Sequence, residues 1–325
     1  MTLDRDGRVA AREFVAQFYP HIYEFEPVAN DASARHYWRF QHEQQPLMLM
    51  DANHEGTRRF VAIDRWLYKR GVPVPQIFHE DPNDRFLILE DFGDKSLLKN
   101  LKSKPEITKL NGALEVIRSL SKLEQSALLE VATTESLLQE MQLLCDWGFQ
   151  SEQIKVQPAE LQPLFQAVVA GVMNQPLCAV HRDYHPLNIH VCANKAQGIG
   201  VIDFQDMLWS SYTYDLVSLL QDRYLFWSQA QVQTILEDYR RQTYPGVTSS
   251  QWREDYIYTS LQRHIRILGV FYRLSLRDQK PGYLQNYSPV FAEYCKDNIA
   301  QSSEFAQIGE PLLEYLYQAK LLKTK

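Results

Sequence analysis

The sequence predicts an α+β chain in two lobes, a small β-rich lobe over 1–95 and a larger, mostly helical lobe over 96–325. Three observations carry this expectation. Short apolar β-type runs separated by turn residues fill most of the first ninety residues. From residue 97 onward, apolar residues recur mainly at helical spacing. A length of 325 residues exceeds what one small core serves. The boundary near residue 95 carries no flexible linker, as a cleft between lobes requires.

Taken in order, residues 8–19 form a short amphipathic helix through Val9, Phe14, Val15 and Phe18. Two strands follow, Tyr23 to Val28 and His36 to Gln41, around the polar loop Asn30 to Arg35. Leu47 to Met50 is a third strand. Residues 55–70 read as a helix, with Phe60, Ile63 and Leu67 on one face, closed by Gly71 and Pro73. Pro75 to Phe78 and Arg85 to Leu89 are two more strands, joined by the turn Asp81-Pro82-Asn83-Asp84. Beyond residue 97, helices are expected over 106–146, 160–174, 213–226, 229–243, 251–277 and 288–319. Strands are expected at Cys178–Val180, Ile189–Cys192 and Ile199–Ile202.

A hydrophobic content of 45% and a charged content of 23% describe an ordinary globular protein. The net charge of −6 argues against nucleic-acid binding. Met1 to Arg12 is charged and lacks the apolar core of a signal peptide, and no run approaches a membrane span. Four cysteines without C-x-x-C spacing read as reduced, buried thiols in a cytoplasmic protein. Nothing in the sequence calls for an obligate protein partner.

The most informative stretch runs from His181 to Asp206. Asp183 stands five residues before Asn188, and Asp203 follows inside the apolar run Val201-Ile202-Asp203-Phe204. Strands flanking a short Pro-containing loop hold such side chains still. The chemistry that needs this set is phosphoryl transfer, in which the protein positions a hydroxyl, binds Mg²⁺ and neutralises phosphate charge. H-x-D-x-x-x-x-N followed by an apolar-flanked Asp is the catalytic-loop pattern of kinases. Asp183 is then the catalytic base, and Asn188 and Asp203 offer oxygen ligands suited to hard Mg²⁺. His181 supports the loop. Two rival readings are a polar loop between buried strands, and a hydrolytic metal site built on the alternating His181, Asp183 and His185.

Asp91-Phe92-Gly93 spells the kinase metal triplet, but it precedes the catalytic loop by some ninety residues. Position makes Leu89 to Gly93 the hinge between lobes, where backbone groups pair with an adenine edge. Glu90 and Phe92 are therefore nucleotide-binding positions, and the metal Asp is Asp203.

The chain resembles the aminoglycoside phosphotransferase/choline kinase superfamily, whose fold is bilobal and protein-kinase-like. The resemblance rests on Asp31-Ala32-Ser33, Met50-Asp51-Ala52, Gly71-Val72-Pro73-Val74-Pro75, Leu89 to Gly93, His181 to Pro186 with Asn188, Val201 to Asp206, and Thr213 to Leu220. Within that superfamily it is most similar to the anomeric sugar kinases acting on N-acetylmuramate and N-acetylglucosamine. This resemblance implies ATP- and Mg²⁺-dependent transfer to an anomeric hydroxyl, feeding recovered cell-wall sugars into UDP-sugar synthesis. The other readings are an aminoglycoside, choline or amine kinase, or a silent nucleotide-binding pseudokinase.

One departure favours the silent reading. The third strand, Leu47-Met48-Leu49-Met50, lacks the phosphate-holding Lys, and no lysine precedes Lys69. The loop with Asn30, Asp31, Ala32 and Ser33 can cradle phosphate through backbone N–H groups. Arg35 can supply the charge, with Arg39, Arg58 and Arg59 nearby.

On the acceptor side, Asp215 and Asp222 lie seven apart on one expected helix face. Asp215 anchors the catalytic loop, and Asp222 and His185 are placed to meet the sugar. Arg263, Arg266, Arg273 and Arg277 form one stripe on the expected 251–277 helix, opposite an apolar stripe of Leu261, Ile265, Leu268, Tyr272 and Leu276. Arg263 is the candidate to contact a carboxylated sugar.

Overall fold

A computed structural model describes residues 5–28, 35–53, 55–103, 106–150 and 154–323, with side chains from residue 9 onward. The phosphate-loop positions Asn30, Asp31, Ala32 and Ser33 lie outside the described residues. The chain forms two compact units: Met1–Val116 with Pro186–Asp206, and Ile117–His185 with Met207–Lys325. The expected division cuts the chain once, near residue 95. The units cut it three times, because the 186–206 segment hydrogen-bonds to the N-terminal part. Val201 donates to the Pro73 carbonyl at 2.8 Å, and Leu98 donates to the Pro186 carbonyl at 2.9 Å.

The first unit opens with α1 (Arg5–Ala16), β1 (Glu26–Val28), β2 (His36–His42), β3 (Gln45–Asp51), α2 (Arg58–Tyr68), β4 (Ile77–Glu80) and β5 (Phe86–Glu90). The β-β-β-α-β-β order is the expected one. The strands make one antiparallel sheet in the order β1-β2-β3-β5-β4. Alternation along β3 sends Leu47 and Leu49 into a core with Phe40, Phe86 and Ile88, covered by Phe14 and Val15 of α1. Helices α3 (Leu97–Ser103) and α4 (Asn111–Ser121) follow.

The expected 106–146 helix is interrupted. After α4 the chain turns, and the two-residue strand β6 (Glu130–Val131) precedes α5 (Thr134–Gly148). No Gly or Pro marks this break in the sequence; the start of α5 is fixed instead by a capping box between Thr133 and Ser136. Next come α6 (Gln162–Met173), β7 (Leu177–Val180), β8 (Ile189–Val191), β9 (Ile199–Val201) and β10 (Leu208–Ser211). Strands β8 and β9 form a hairpin of the first unit. Strand β10, which was not expected, pairs with β7 and β6 in the second.

The second unit is completed by α7 (Tyr214–Leu220), α8 (Gln229–Thr243), α9 (Ser249–Leu276), α10 (Pro281–Ala300), α11 (Phe305–Ile308) and α12 (Glu310–Gln318). Its core gathers apolar residues of α5, α6, α9, α10 and α12, among them Leu144, Val168, Leu261, Ile265, Phe291 and Leu316. Gly269 lets α9 and α5 approach closely: a Cβ there would lie 2.5 Å from the Leu144 backbone nitrogen.

Three expectations are corrected here. The 213–226 helix ends at Leu220, where Gln221 leaves helical geometry and bridges to Phe226. Asp215 and Asp222 therefore do not share a helix face. The expected 288–319 helix starts at Pro281 and is broken into three pieces. Helix α9 is not amphipathic in its middle, because Leu261, Gln262, Arg263, His264 and Ile265 make a full turn buried on every side. At its end, Leu276 of the expected buried stripe is exposed.

Candidate active site

In the first unit, Asn188 and Asp203 come together. Asn188 immediately precedes β8 and Asp203 lies just past β9, and the Asn188 carbonyl accepts the Ile202 N–H at 3.1 Å. The Asn188 amide donates to Asp203 Oδ2 at 3.3 Å, and the Gln205 amide donates to Asp203 Oδ1 at 2.8 Å. Asp203 is exposed, in left-handed backbone at φ 67°. Few non-glycine residues adopt that conformation, although aspartate does so more readily than most. Here the neighbouring Phe204 is fully buried and packs on Phe60 of α2, with ring centroids 4.8 Å apart.

Arg35 belongs to the same neighbourhood. It is buried, pairs with Glu55 at 3.1 Å and lies over the Phe60 ring. Burial pushes the Tyr37 hydroxyl pKa up; Arg35 opposes that shift, while Asp203 and Glu55 add to it. Three charged groups thus bear on one tyrosine. The other arginines are committed elsewhere. Arg39 is bidentate to Asp91 and also bonds Asp94 at 3.0 and 3.1 Å. Arg58 pairs with Asp84 at 3.0 Å, and Arg59 donates to the Gln205 carbonyl at 2.8 Å.

At the expected hinge, Glu90 donates its N–H to the Gln76 carbonyl, and its carboxylate accepts from Lys195 at 2.7 Å. Phe92 lies under the Lys195 ammonium and against Gly200. Asp91 bonds Arg39 and the Gly93 N–H, far in environment from the Asn188–Asp203 pair.

In the second unit, Asp215 accepts the N–H groups of His181 at 2.7 Å and Arg182 at 2.9 Å. Ser218 donates to the Arg182 carbonyl at 3.0 Å. These bonds hold Arg182 in left-handed backbone, φ 79°, and so fix the turn that leads into Asp183. Burial pushes the Asp215 carboxyl up, against the pull of His181, the two N–H groups and Arg263. Burial would also raise Asp183, but His185, Arg266, Arg263 and His181 outweigh it and hold the carboxyl below its ordinary range. His185 is pushed down by burial, against Asp222 and Asp183, and so favours the neutral ring. Arg263 is only 3% exposed, so its charge acts on Asp183 and Asp215 from inside the unit. Asp222 is likewise buried, and its Oδ2 has no hydrogen-bond partner among the described residues.

Glu140 of α5 was not visible in the sequence as a site residue. It pairs with Arg182, lies 3.5 Å from Arg266, and accepts from Gln262 at 2.9 Å. No local pattern announces it, because its partners come from the turn after β7 and from α9. Of the remaining stripe arginines, Arg277 pairs with Asp278. A cavity of about 790 Å³ between α8, α9 and α10 is lined by Trp227, Trp252, Tyr256 and Tyr294, but by none of the expected site residues.

A family model described as the phosphotransferase enzyme family matches residues 24–249. The chain belongs to that family. This phosphotransferase is 32% identical over 314 residues to the N-acetylmuramate/N-acetylglucosamine kinase of Pseudomonas aeruginosa, covering 92% of this chain and 91% of that one. It is 32% identical over 297 residues to the protein of the same name from Pseudomonas putida, covering 88% and 86%. Among solved structures, it is similar to a choline/ethanolamine kinase family protein from Mesorhizobium loti, with a TM-score of 0.66, 14% identity, and 97% and 99% of the two chains covered. An ADP-bound aminoglycoside phosphotransferase matches with a TM-score of 0.58 and 16% identity, over 89% and 99%. At these identities the solved structures show the fold, which is protein-kinase-like, with a β-sheet N-terminal part and a helical C-terminal part.

The donor set of this phosphotransferase suits Mg²⁺ rather than zinc. Asn188 and Asp203 offer an amide and a carboxylate oxygen, the ligands a hard cation takes. Among the described residues, no three His, Cys, Asp or Glu side chains converge as metal ligands, so His181, Asp183 and His185 do not form the alternating hydrolytic set. No helix among them is long and apolar enough to cross a membrane. All four cysteines are free and buried.

Proposed function

We propose that this phosphotransferase moves the γ-phosphoryl group of ATP to the anomeric hydroxyl of N-acetylmuramate or N-acetylglucosamine, as a cytoplasmic sugar kinase. The observation that carries the reading is 32% identity, over nearly the whole chain, to a protein named for both sugars. The anomeric oxygen attacks the γ-phosphorus. The new O–P bond forms as the bond to the β–γ bridging oxygen breaks, ADP leaves with that oxygen, and the hydroxyl proton passes to Asp183. A carboxylate held ionised by the charges of Arg266 and Arg263 is ready to accept it. An anomeric hydroxyl is more acidic than other sugar hydroxyls, so no raised carboxylate pKa is required.

Asp215 and Ser218 position the loop through Arg182, and His181 supports it. Mg²⁺, held by Asn188 and Asp203, would neutralise charge developing on the phosphates. Arg35, braced by Glu55, takes the place of the missing strand lysine. Glu90 and Phe92 present the hinge to the adenine.

The test is a transfer panel with both N-acetyl sugars, their methyl glycosides, kanamycin and choline, read by phosphorus NMR. Both free sugars should give an anomeric phosphate and the methyl glycosides none. Phosphorylation of the blocked glycosides would overturn the position, and turnover of kanamycin or choline alone would overturn the acceptor. Asp183→Asn should lower turnover by roughly 10²–10⁴-fold with ATP binding retained, as expected for loss of a general base.

A further inference from the structure

We infer that Arg223 forms a carboxylate-binding subsite beside the catalytic loop, and that this subsite reads the lactyl carboxylate that N-acetylmuramate carries and N-acetylglucosamine lacks. The inference rests on the acceptor reading above and assigns its discrimination to one side chain.

Arg223 lies in the irregular segment between α7 and α8, beyond the helix that was expected to run to residue 226. Its guanidinium carbon is within 6 Å of four ring centroids: Tyr224 at 4.6 Å, Tyr287 at 4.9 Å, Tyr283 at 5.6 Å and Phe271 at 5.9 Å. Among the described residues its one hydrogen bond goes from Nη2 to the Tyr224 hydroxyl, and its buried Nε has no partner. No carboxylate lies within ion-pair distance of it among the described residues. Other arginines, such as Arg39, Arg85 and Arg240, are by contrast ion-paired with an acid. A guanidinium framed by rings and in no ion pair, with Asp222 acting on it only through its charge, keeps its own charge and a donor edge for a ligand. The rings also remove much of the rotamer freedom that binding would otherwise have to suppress.

The place of this box fits the acceptor. The Tyr224 ring meets the His185 ring edge to face at 5.6 Å, and His185 is two residues from Asp183. The charges of Asp222, Asp183, Arg223 and Arg263 all bear on the His185 ring. Of the two arginines, Arg263 is 3% exposed and faces Asp183 and Asp215, whereas Arg223 is only partly buried. Arg223 is therefore the cation that an arriving carboxylate can reach. Its planar fork matches two carboxylate oxygens at once, which orients the sugar as well as binding it.

The experiment compares KM for the two sugars in wild type, Arg223→Gln and Arg223→Lys. Arg223→Gln should raise KM for N-acetylmuramate roughly 10- to 100-fold, the range of a lost charge-assisted hydrogen bond, and so collapse the discrimination between the sugars. Arg223→Lys, which keeps the charge and loses the fork, should fall between the two. N-acetylglucosamine turnover by the same protein shows that the fold is intact. An equal rise for both sugars would make Arg223 a structural residue and overturn the subsite. Calorimetric titration with N-acetylmuramate separates the two ideas. Failure to phosphorylate either sugar defeats the acceptor reading, whereas equal binding of N-acetylmuramate by wild type and Arg223→Gln defeats the subsite.

Discussion

Two Asp-Phe steps in the first unit share their letters and differ in almost everything physical. Asp91-Phe92-Gly93 carries the full metal-triplet spelling, yet its carboxylate is consumed by Arg39 and the Gly93 N–H, and its side chain is 2% exposed. Asp203-Phe204-Gln205 lacks the glycine, yet its carboxylate is exposed, lies beside Asn188 and projects from left-handed backbone. The two phenylalanines exchange roles as well. Phe204 is fully buried against Phe60, which fixes Asp203; Phe92 is partly exposed against a glycine on β9. An aspartate becomes available for a metal when its backbone is pinned and its carboxylate is left without a cation. The triplet's spelling guarantees neither condition.

The widest separation between the two steps is expected in metal dependence. Asp203→Ala should lower turnover by about 10³-fold or more, the several kcal/mol that a bound metal ion contributes to phosphoryl transfer. Asp91→Ala should leave the Mg²⁺ titration curve of activity where it was. If the two curves move together, the assignment of Asp203 over Asp91 is wrong.

Helix α2 joins the two steps and offers the next test. Phe60 packs on Phe204, and one turn later Asp64 faces the charges of Glu90 and Lys195. Asp64 is 2% exposed with an unpartnered Oδ2, and burial pushes its carboxyl up to about 8, against the pull of Arg65 and Lys195. An unfolded Asp titrates near 4, so between about pH 4 and 8 the folded chain binds the extra proton, and stability falls as pH rises through that window. Asp64→Asn keeps the shape and removes the titration. It should stabilise the chain by a few kcal/mol at pH 8 and by little at pH 4. Thermal midpoints of both proteins across that range check the sign.

Legibility in the sequence follows the range of the interactions. The order β-β-β-α-β-β could be read because alternation and turn residues are local signals. The contrast between Asp91 and Asp203 could be anticipated because chain order, unlike spelling, separates the two Asp-Phe steps. The break after α4 could not, since capping by Thr133 and pairing of β6 with β10 replace any Gly or Pro signal. The burial of Arg263 was hidden for another reason. Its stripe has the spacing of a surface helix, but α9 is enclosed by α5, α6 and α10, and only tertiary packing decides that. Arg223 had no pattern at all, because its rings come from α9, α10 and the adjacent Tyr224.

A smaller effect is expected from Asp91 itself. Removing its carboxylate takes the best partner from Arg39 and the acceptor from Gly93, but Arg39 is 23% exposed and retains Asp94. The cost should be about 1–3 kcal/mol, less than for a fully buried pair left broken. Denaturant unfolding reads it, and a loss near zero would show that the 91–94 segment does not depend on this pair.

The smallest effect tests whether Phe92 matters to its surroundings in the way Phe204 matters to Asp203. Gly200 sits in β9 with no room for a side chain: a Cβ would lie 2.4 Å from Phe92 Cε2 and 2.7 Å from Cζ. Gly200→Ala must therefore displace the ring. Because Phe92 is only partly buried, the ring can swing, and overpacking should cost about 1 kcal/mol, the low end for a core insertion. If Phe92 frames the nucleotide, KM for ATP should rise a few-fold while the Mg²⁺ response and kcat hold. Phe92→Leu, which shortens the side chain, should then relieve part of the strain in the Gly200→Ala background, and the double-mutant cycle measures the coupling. Additive effects would separate the ring from the glycine, and an unchanged KM in all three variants would remove Phe92 from the nucleotide site.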